Sequence, residues 1–316
     1  MDELILRRIT ETADVPELLE VLSERLSSAD LNTILLAVFQ QKATQLTPAA
    51  LMRQYQRNRF VQPTSVDVID FSHFNLSWLK ASKAAGFEPL ELSPVCPLGT
   101  CSVVATAHQN KVVSALRGTE VVADATNVLA LESVSRRKPA GFPAQALCFS
   151  TLHRHVRAQG IPDIPGFSAH FTILGLSSAG RDLGDFNFEK ENLQQHLHFF
   201  SHYFTTALNI APVKIRLLNL SSANAENRLF NAVEAYLRKT EPTWPIEIIE
   251  SSQAEQSYYH RLQFKIVIPN PKGGELEIAD GGFTDWTQQL SGNKKERMLI
   301  SGIGLELLYK LMHGLV

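Results

Sequence analysis

Arg154 stands between His153 and His155 in the stretch "LHRHVRAQG". Strand-like alternation puts the guanidinium on one face and both imidazoles on the other. An arginine so placed either contacts a phosphate or forms a salt bridge within a sheet. Near the end, "ISGIGLELLYKL" (300–311) sets Gly302 and Gly304 two residues apart, then Glu306 and an apolar helix-like run. Bare backbone there allows close approach of a ligand, or tight packing at a strand-to-helix corner. The stretch lacks the third glycine and the lysine of dinucleotide and Walker-type loops. "GGFTDW" (281–286) offers Gly281 and Gly282 for backbone approach, Asp285 as a carboxylate and Trp286 as an aromatic wall. A glycine bulge with Trp286 in the core is the other outcome.

"GTEVVADATN" supplies Glu120, Asp124, Thr126 and Asn127 at the end of a strand-like run. Such a polar cluster suits a ligand cleft, while threonine and asparagine serve equally as caps and turns. Phe171 either stacks on a ligand ring or packs in a core. His196, His198 and His202 include an i, i+4 pair on a helix-like run, but a metal site needs a third ligand and a buried face. They read as a solvated face, and no structural metal is expected. Cys96, Cys101 and Cys148 cannot all pair, and their spacing fits no zinc pattern. They read as reduced thiols of a cytoplasmic protein.

These residues need elements to position them. The 316 residues are 44% hydrophobic and 20% charged, with formal net charge −2, a globular composition long enough for a real core. That balance gives no case for non-specific nucleic-acid or membrane-surface binding. No apolar run approaches a membrane span, and the amphipathic start lacks the regions of a secretory signal. Residues 1–63 read as a helical segment: Leu31, Ile34, Leu35, Val38 and Phe39 share one helix face, and Thr47 and Pro48 start another helix. From residue 64 to 316 the texture becomes α+β. A helix closes at Gly86, and sequence-adjacent strands with interspersed helices imply a largely antiparallel sheet.

In this order the pieces resemble the class II aminoacyl-tRNA synthetase catalytic domain, with the histidyl type nearest. "AAGFEPLELSP" (84–94) is similar to motif 1, "LHRHVRAQGIPDIPGFSAHFTILG" (152–175) to motif 2, and the tail to motif 3, preceded by Tyr258-Tyr259 and Gly281-Gly282 with Asp285. The resemblance implies an antiparallel sheet flanked by helices, a homodimer through the motif 1-like region, and a site for ATP with Mg2+ and an amino acid. It places nucleotide contacts at Arg154, Phe171, Gly302, Gly304 and Glu306. It places other ligand contacts at Asp124, Thr126, Tyr258, Gly281, Gly282, Asp285 and Trp286.

The departures are chemical. Leu307 stands where the family's γ-phosphate arginine belongs, Val156 where its motif 2 glutamate belongs, and Ala254 where the histidyl type has another arginine. Each such arginine is worth about two to three orders of magnitude in rate. No anticodon-binding domain follows the motif 3-like helix, so tRNA is not the expected partner. The resemblance then implies a dimeric protein that binds an amino acid or a nucleotide without charging tRNA. The alternative is an adenylating ligase for a non-tRNA acceptor.

Overall fold

A computed structural model of the chain describes residues 3–160, 167–220, 227–250, 258–271 and 273–316. The N-terminal segment is helical: α1 (Glu3–Ala13), α2 (Leu18–Glu20, continued by a π-helical turn to Arg25), α3 (Ser28–Thr44) and α4 (Pro48–Arg57). Ser27 and Thr47 accept from the backbone N–H groups of Asp30 and Ala50, and Pro48 fills the first turn of α4. Periodicity fixes these helices but not what covers them. None of the four buries a residue, and Ile34, Val38 and Phe39 are exposed.

Burial begins with α5 (Val68–Ala84), capped by Asp67 and closed by Gly86 at φ +92°. After β1 (Glu88–Pro89) a small three-stranded sheet forms from β2 (Val95–Pro97), β3 (Ser114–Ala115) and β4 (Thr119–Val121), with α6 (Thr100–Val104) between β2 and β3. Next come α7 (Ala125–Arg137) and the hairpin β5 (Leu147–Val156) and β6 (His170–Arg181). The core helix is α8 (Asn187–His202), with Leu193, Leu197 and Phe200 fully buried; His196 is buried with them and leaves only His198 and His202 on the solvated face expected of all three. A β7 (Lys214–Asn219), α9 (Asn227–Thr240), β8 (Ile246–Glu250) unit follows. The hairpin β9 (Leu262–Pro269) and β10 (Glu275–Thr284) leads through α10 (Trp286–Ser291) to β11 (Glu296–Gly304) and α11 (Leu305–Met312).

Eight strands form one sheet in the order β1-β5-β6-β11-β10-β9-β7-β8. The inner pairings are antiparallel, and only the edge strands β1 and β8 join in parallel. Those two reach their neighbours through intervening helices, which is what parallel pairing requires. One face packs on α5, α8, α9 and α11 around Trp78, Leu174, Phe200 and Phe264. The other carries α7 and α10, with Ala130, Trp286, Met298 and Ile300 between. Among the described residues no helix is long and apolar enough to cross a membrane.

The space beside Gly281 and Gly282 is filled by the protein itself. A Cβ on Gly281 would lie 2.5 Å from the Ile300 carbonyl oxygen, and one on Gly282 2.7 Å from the Tyr259 ring. Gly282→Ala is therefore expected to lose about 1–3 kcal/mol through overpacking, read as a lower urea midpoint.

Candidate functional site

On the α7 side a cleft of about 640 Å³ opens over the middle of the sheet. Its floor follows from register. Thr151, Gly175, Gly302, Asp280 and Lys265 form one cross-strand row, and Gly304 pairs with Ile173 in the next. A Cβ on Gly302 or Gly304 would meet nothing nearer than 3.6 or 3.8 Å, and neither residue has a left-handed φ. Packing and backbone strain therefore do not require these glycines. Their missing side chains leave bare backbone under the cleft.

The walls come from α7, β5 and the segment before β9. Asp124 caps α7: its Oδ1 accepts from the Thr126 N–H (2.9 Å) and hydroxyl (2.7 Å), and its Oδ2 accepts from the Tyr258 hydroxyl at 2.5 Å. Burial alone would raise the Asp124 pKa, but His155, Arg157 and the donated hydrogen bonds outweigh it and hold it below the usual range. His155 is buried, and that burial, with Arg157 and His153 nearby, pushes its pKa down to about 3. The ring is neutral, and its Nε2 accepts from the Ala125 N–H at 2.9 Å. Arg157 donates from Nε to the Ala123 carbonyl at 3.1 Å, and its guanidinium lies 5.2 Å from the Phe171 ring centroid. Among the described residues Arg157 makes no ion pair. On the far side the Tyr259 hydroxyl donates to Asp280 at 3.0 Å, and Lys265 pairs with Glu277 at 2.9 Å.

No family model matches the chain, and no curated protein does. Solved structures do. Apo histidyl-tRNA synthetase of S. aureus superposes with a TM-score of 0.56 at 13% identity, over 78% of this chain and 66% of that one. A histidine–tRNA ligase subunit from Alicyclobacillus acidocaldarius gives 0.60 at 12% identity, over 82% and 97%. The RNA binding domain of threonyl-tRNA synthetase from Cryptosporidium parvum gives 0.59 at 9% identity, over 77% and 63%. The fold resembles the class II aminoacyl-tRNA synthetase catalytic domain. Histidyl and threonyl structures fit comparably, so this class II-like fold does not single out the histidyl type.

The class II-like sheet brings together Asp124, Thr126, Tyr258, Gly302 and Gly304 along the cleft, with Phe171 beside Arg157. It separates Arg154 and Glu306 from them. Glu306 receives the Arg154 guanidinium at 3.0 Å, the Lys310 ammonium at 2.9 Å and the Thr64 hydroxyl at 2.5 Å. Burial would raise the Glu306 pKa, but those donors lower it. This cluster belongs to the α11 face, with the sheet between it and the cleft. Alternation explains the split: Cys148, Ser150 and Arg154 meet α8, α5 and α11, whereas His155 and Arg157 meet the α7 side. Arg154 and Glu306 thus lie across the sheet from the cleft, and Arg157 lines it.

Trp286 is buried, edge-on to Tyr258 at 5.3 Å, and Asp285 precedes α10 outside the cleft lining. Leu307 packs half-buried against the main core. Ala254 and residues 161–166 of the motif 2-like stretch lie outside the described residues. Sequence reasoning missed Arg157, His155, Tyr259 and Asp280 as cleft residues, and Gly175 in its floor row. Arg157 had a signal, since it continues the odd-numbered alternation of His153 and His155. Among the described residues no group of three or more His, Cys, Asp or Glu side chains could hold a metal ion. Arg157, Lys111 and Lys265 suit the phosphates of a nucleotide.

Proposed function

We propose that this is a small-molecule-binding protein of class II-like fold, whose cleft takes an amino acid or a nucleotide and which does not charge tRNA. The observation that carries this reading is the Arg157–Phe171 pair beside a floor of bare glycine backbone. A guanidinium forks onto carboxylate or phosphate oxygens, and an aromatic face takes a planar ring. Asp124 remains ionised and offers a countercharge to an ammonium group. Leu307, packed against the core, occupies the place where the class II resemblance puts a γ-phosphate cation, which favours binding over turnover. Lys111 and Lys265, also on the cleft, favour one second reading: a ligase that activates a carboxylate with ATP and Mg2+ for a non-tRNA acceptor.

The test is a thermal-shift screen with AMP, ADP, ATP with and without Mg2+, and each proteinogenic amino acid. At least one is expected to raise the melting temperature. Arg157→Ala is expected to weaken that binder by about tenfold to a hundredfold, while Arg154→Ala leaves its affinity unchanged. Pyrophosphate exchange with the binder present is expected to be nil, and measurable exchange would shift the assignment to the ligase. No shift with any probe, or equal losses from both arginine variants, would sink the cleft reading.

A further inference from the structure

We infer, on the reading of the cleft as a small-molecule site, that it selects a diamino acid, and that Asp280 is the residue that reads the ammonium group at the end of the side chain. Two carboxylates face the cleft from different elements. Asp124 stands at the start of α7, and Asp280 lies in β10 with Gly302 and Lys265 as its cross-strand partners. The Thr126 methyl sits 3.5 Å from where a Cβ on Gly175 would lie, and Gly175 pairs with Gly302. Two strand spacings, roughly 10 Å, therefore separate the α7 turn from Asp280. The strip between them is bare glycine backbone. One metal ion cannot bridge that distance, whereas two cationic groups on one molecule can. A chain of about four to six bonds between two nitrogens, with a hydrogen bond at each end, spans about 10–13 Å.

Asp280 lacks a countercharge of its own. Lys265, its cross-strand partner, is paired with Glu277 at 2.9 Å. Asp280 Oδ2 accepts from the Tyr259 hydroxyl at 3.0 Å and from Gln263 Nε2 at 3.5 Å, while among the described residues nothing donates to Oδ1. Asp280 is open to the cleft yet crowded by protein, and that loss of solvent, with the Asp124 charge, raises its pKa. A cation lodged there relieves both. The adjacent tyrosines link the two carboxylates: Tyr258 donates to Asp124 and Tyr259 to Asp280, with their rings 4.9 Å apart. Such rings suit a methylene chain and its ammonium end. The α-groups have a place at the other end. Arg157 donates from Nε to the carbonyl of Ala123, the residue before Asp124, and among the described residues its Nη groups meet no acceptor. A carboxylate fork and an ammonium acceptor thus stand side by side. Asn127 lines the same wall, is 1% exposed, and among the described residues has no partner for either side-chain amide atom. A buried amide in that state is rare, and a polar ligand supplies the partner. A nucleotide fits less well, because Asp280 repels its phosphates, and a simple diamine leaves Arg157 unused.

The test is titration calorimetry of the full chain with L-lysine, L-ornithine, L-norleucine, cadaverine and AMP. Lysine or ornithine is expected to bind about tenfold or more tightly than norleucine, which lacks the terminal ammonium, and than cadaverine, which lacks the carboxylate. Asp280→Asn keeps the shape and removes the charge. It is expected to weaken the diamino acid by about tenfold to a hundredfold and to leave norleucine unchanged, with the melting temperature of the free variant showing that it folds. Norleucine, cadaverine or AMP binding as tightly as the diamino acids would overturn the inference and leave the cleft with another ligand. Equal losses of lysine and norleucine in Asp280→Asn would overturn it too, since Asp280 would then only hold the cleft in shape. No binding by any of the five would also overturn it, and the cleft reading falls with it only if the wider screen of amino acids and nucleotides is blank as well.

Discussion

Glu296→Leu is expected to cost the fold about 3–5 kcal/mol, among the largest losses any single substitution in this chain should give. Glu296 and Arg137 are both wholly buried. Arg137 Nε donates to Glu296 at 2.8 Å and Nη2 at 3.2 Å, while Nη1 reaches the carbonyl of Gln145 at 2.7 Å and Nη2 also that of Pro143 at 2.8 Å. Removing the carboxylate strands a guanidinium in a dry site, with no solvent to take over. The pair itself is worth much less than its breakage, because both ions were desolvated to form it. Arg137→Met/Glu296→Leu should therefore recover a large part of the loss, and urea unfolding of the two single variants and the double gives the coupling directly. Additive losses, or a loss under about 1 kcal/mol for Glu296→Leu, would mean that water reaches the site. The pair also ties the end of α7 to the start of β11, so the helix whose first turn walls the cleft is anchored at its far end.

The sheet was legible because its signals are local. "VKIRLLNL", "HRLQFKIVI" and "ELEIADGGF" alternate or run apolar between turns, and each is a strand. The helix α7 was harder to see, since "ATNVLALESVSRR" begins on a polar cluster that also suits a strand end, and only the Asp124 cap marks its start. The site was half legible for a single reason. Motif order located the right hairpin, but a cleft arginine is fixed by which face of a strand it lies on, and that parity depends on packing partners absent from the sequence. Arg154 and Arg157 differ by an odd number of residues and so fall on opposite sides. Gly302 and Gly304 were singled out for bare backbone and have it, whereas Gly282 was singled out on the same grounds and its space is taken by Tyr259.

Acid should unfold this protein earlier than its carboxylates alone would dictate. His155 and His196 are buried, and burial drives each pKa down from 6.5 to about 3. The unfolded chain therefore binds two protons as pH falls through 6.5 that the folded chain refuses until near 3. Stability is fully present above pH 6.5 and is lost on descending through that window, at about 1.4 kcal/mol per unit for each ring. By pH 5 the two should have removed about 4 kcal/mol relative to pH 7.5. Glu189, whose pKa burial raises, opposes this in sign. His196 lies between the hydroxyls of Ser178 at 3.0 Å and Ser301 at 2.7 Å, with no carboxylate to welcome a charge. His196→Gln keeps hydrogen-bonding capacity there and should halve the slope of urea midpoint against pH between 6.5 and 5. An unchanged slope would show that the ring is already charged or solvated in the folded state. His155 carries the same penalty to the cleft. Its unprotonated Nε2 accepts the first N–H of α7, so a proton there deletes the bond and sets a positive charge against a helix N-terminus. Asp124 caps that same turn and accepts from the Tyr258 hydroxyl, so acid should loosen the cleft wall together with the core.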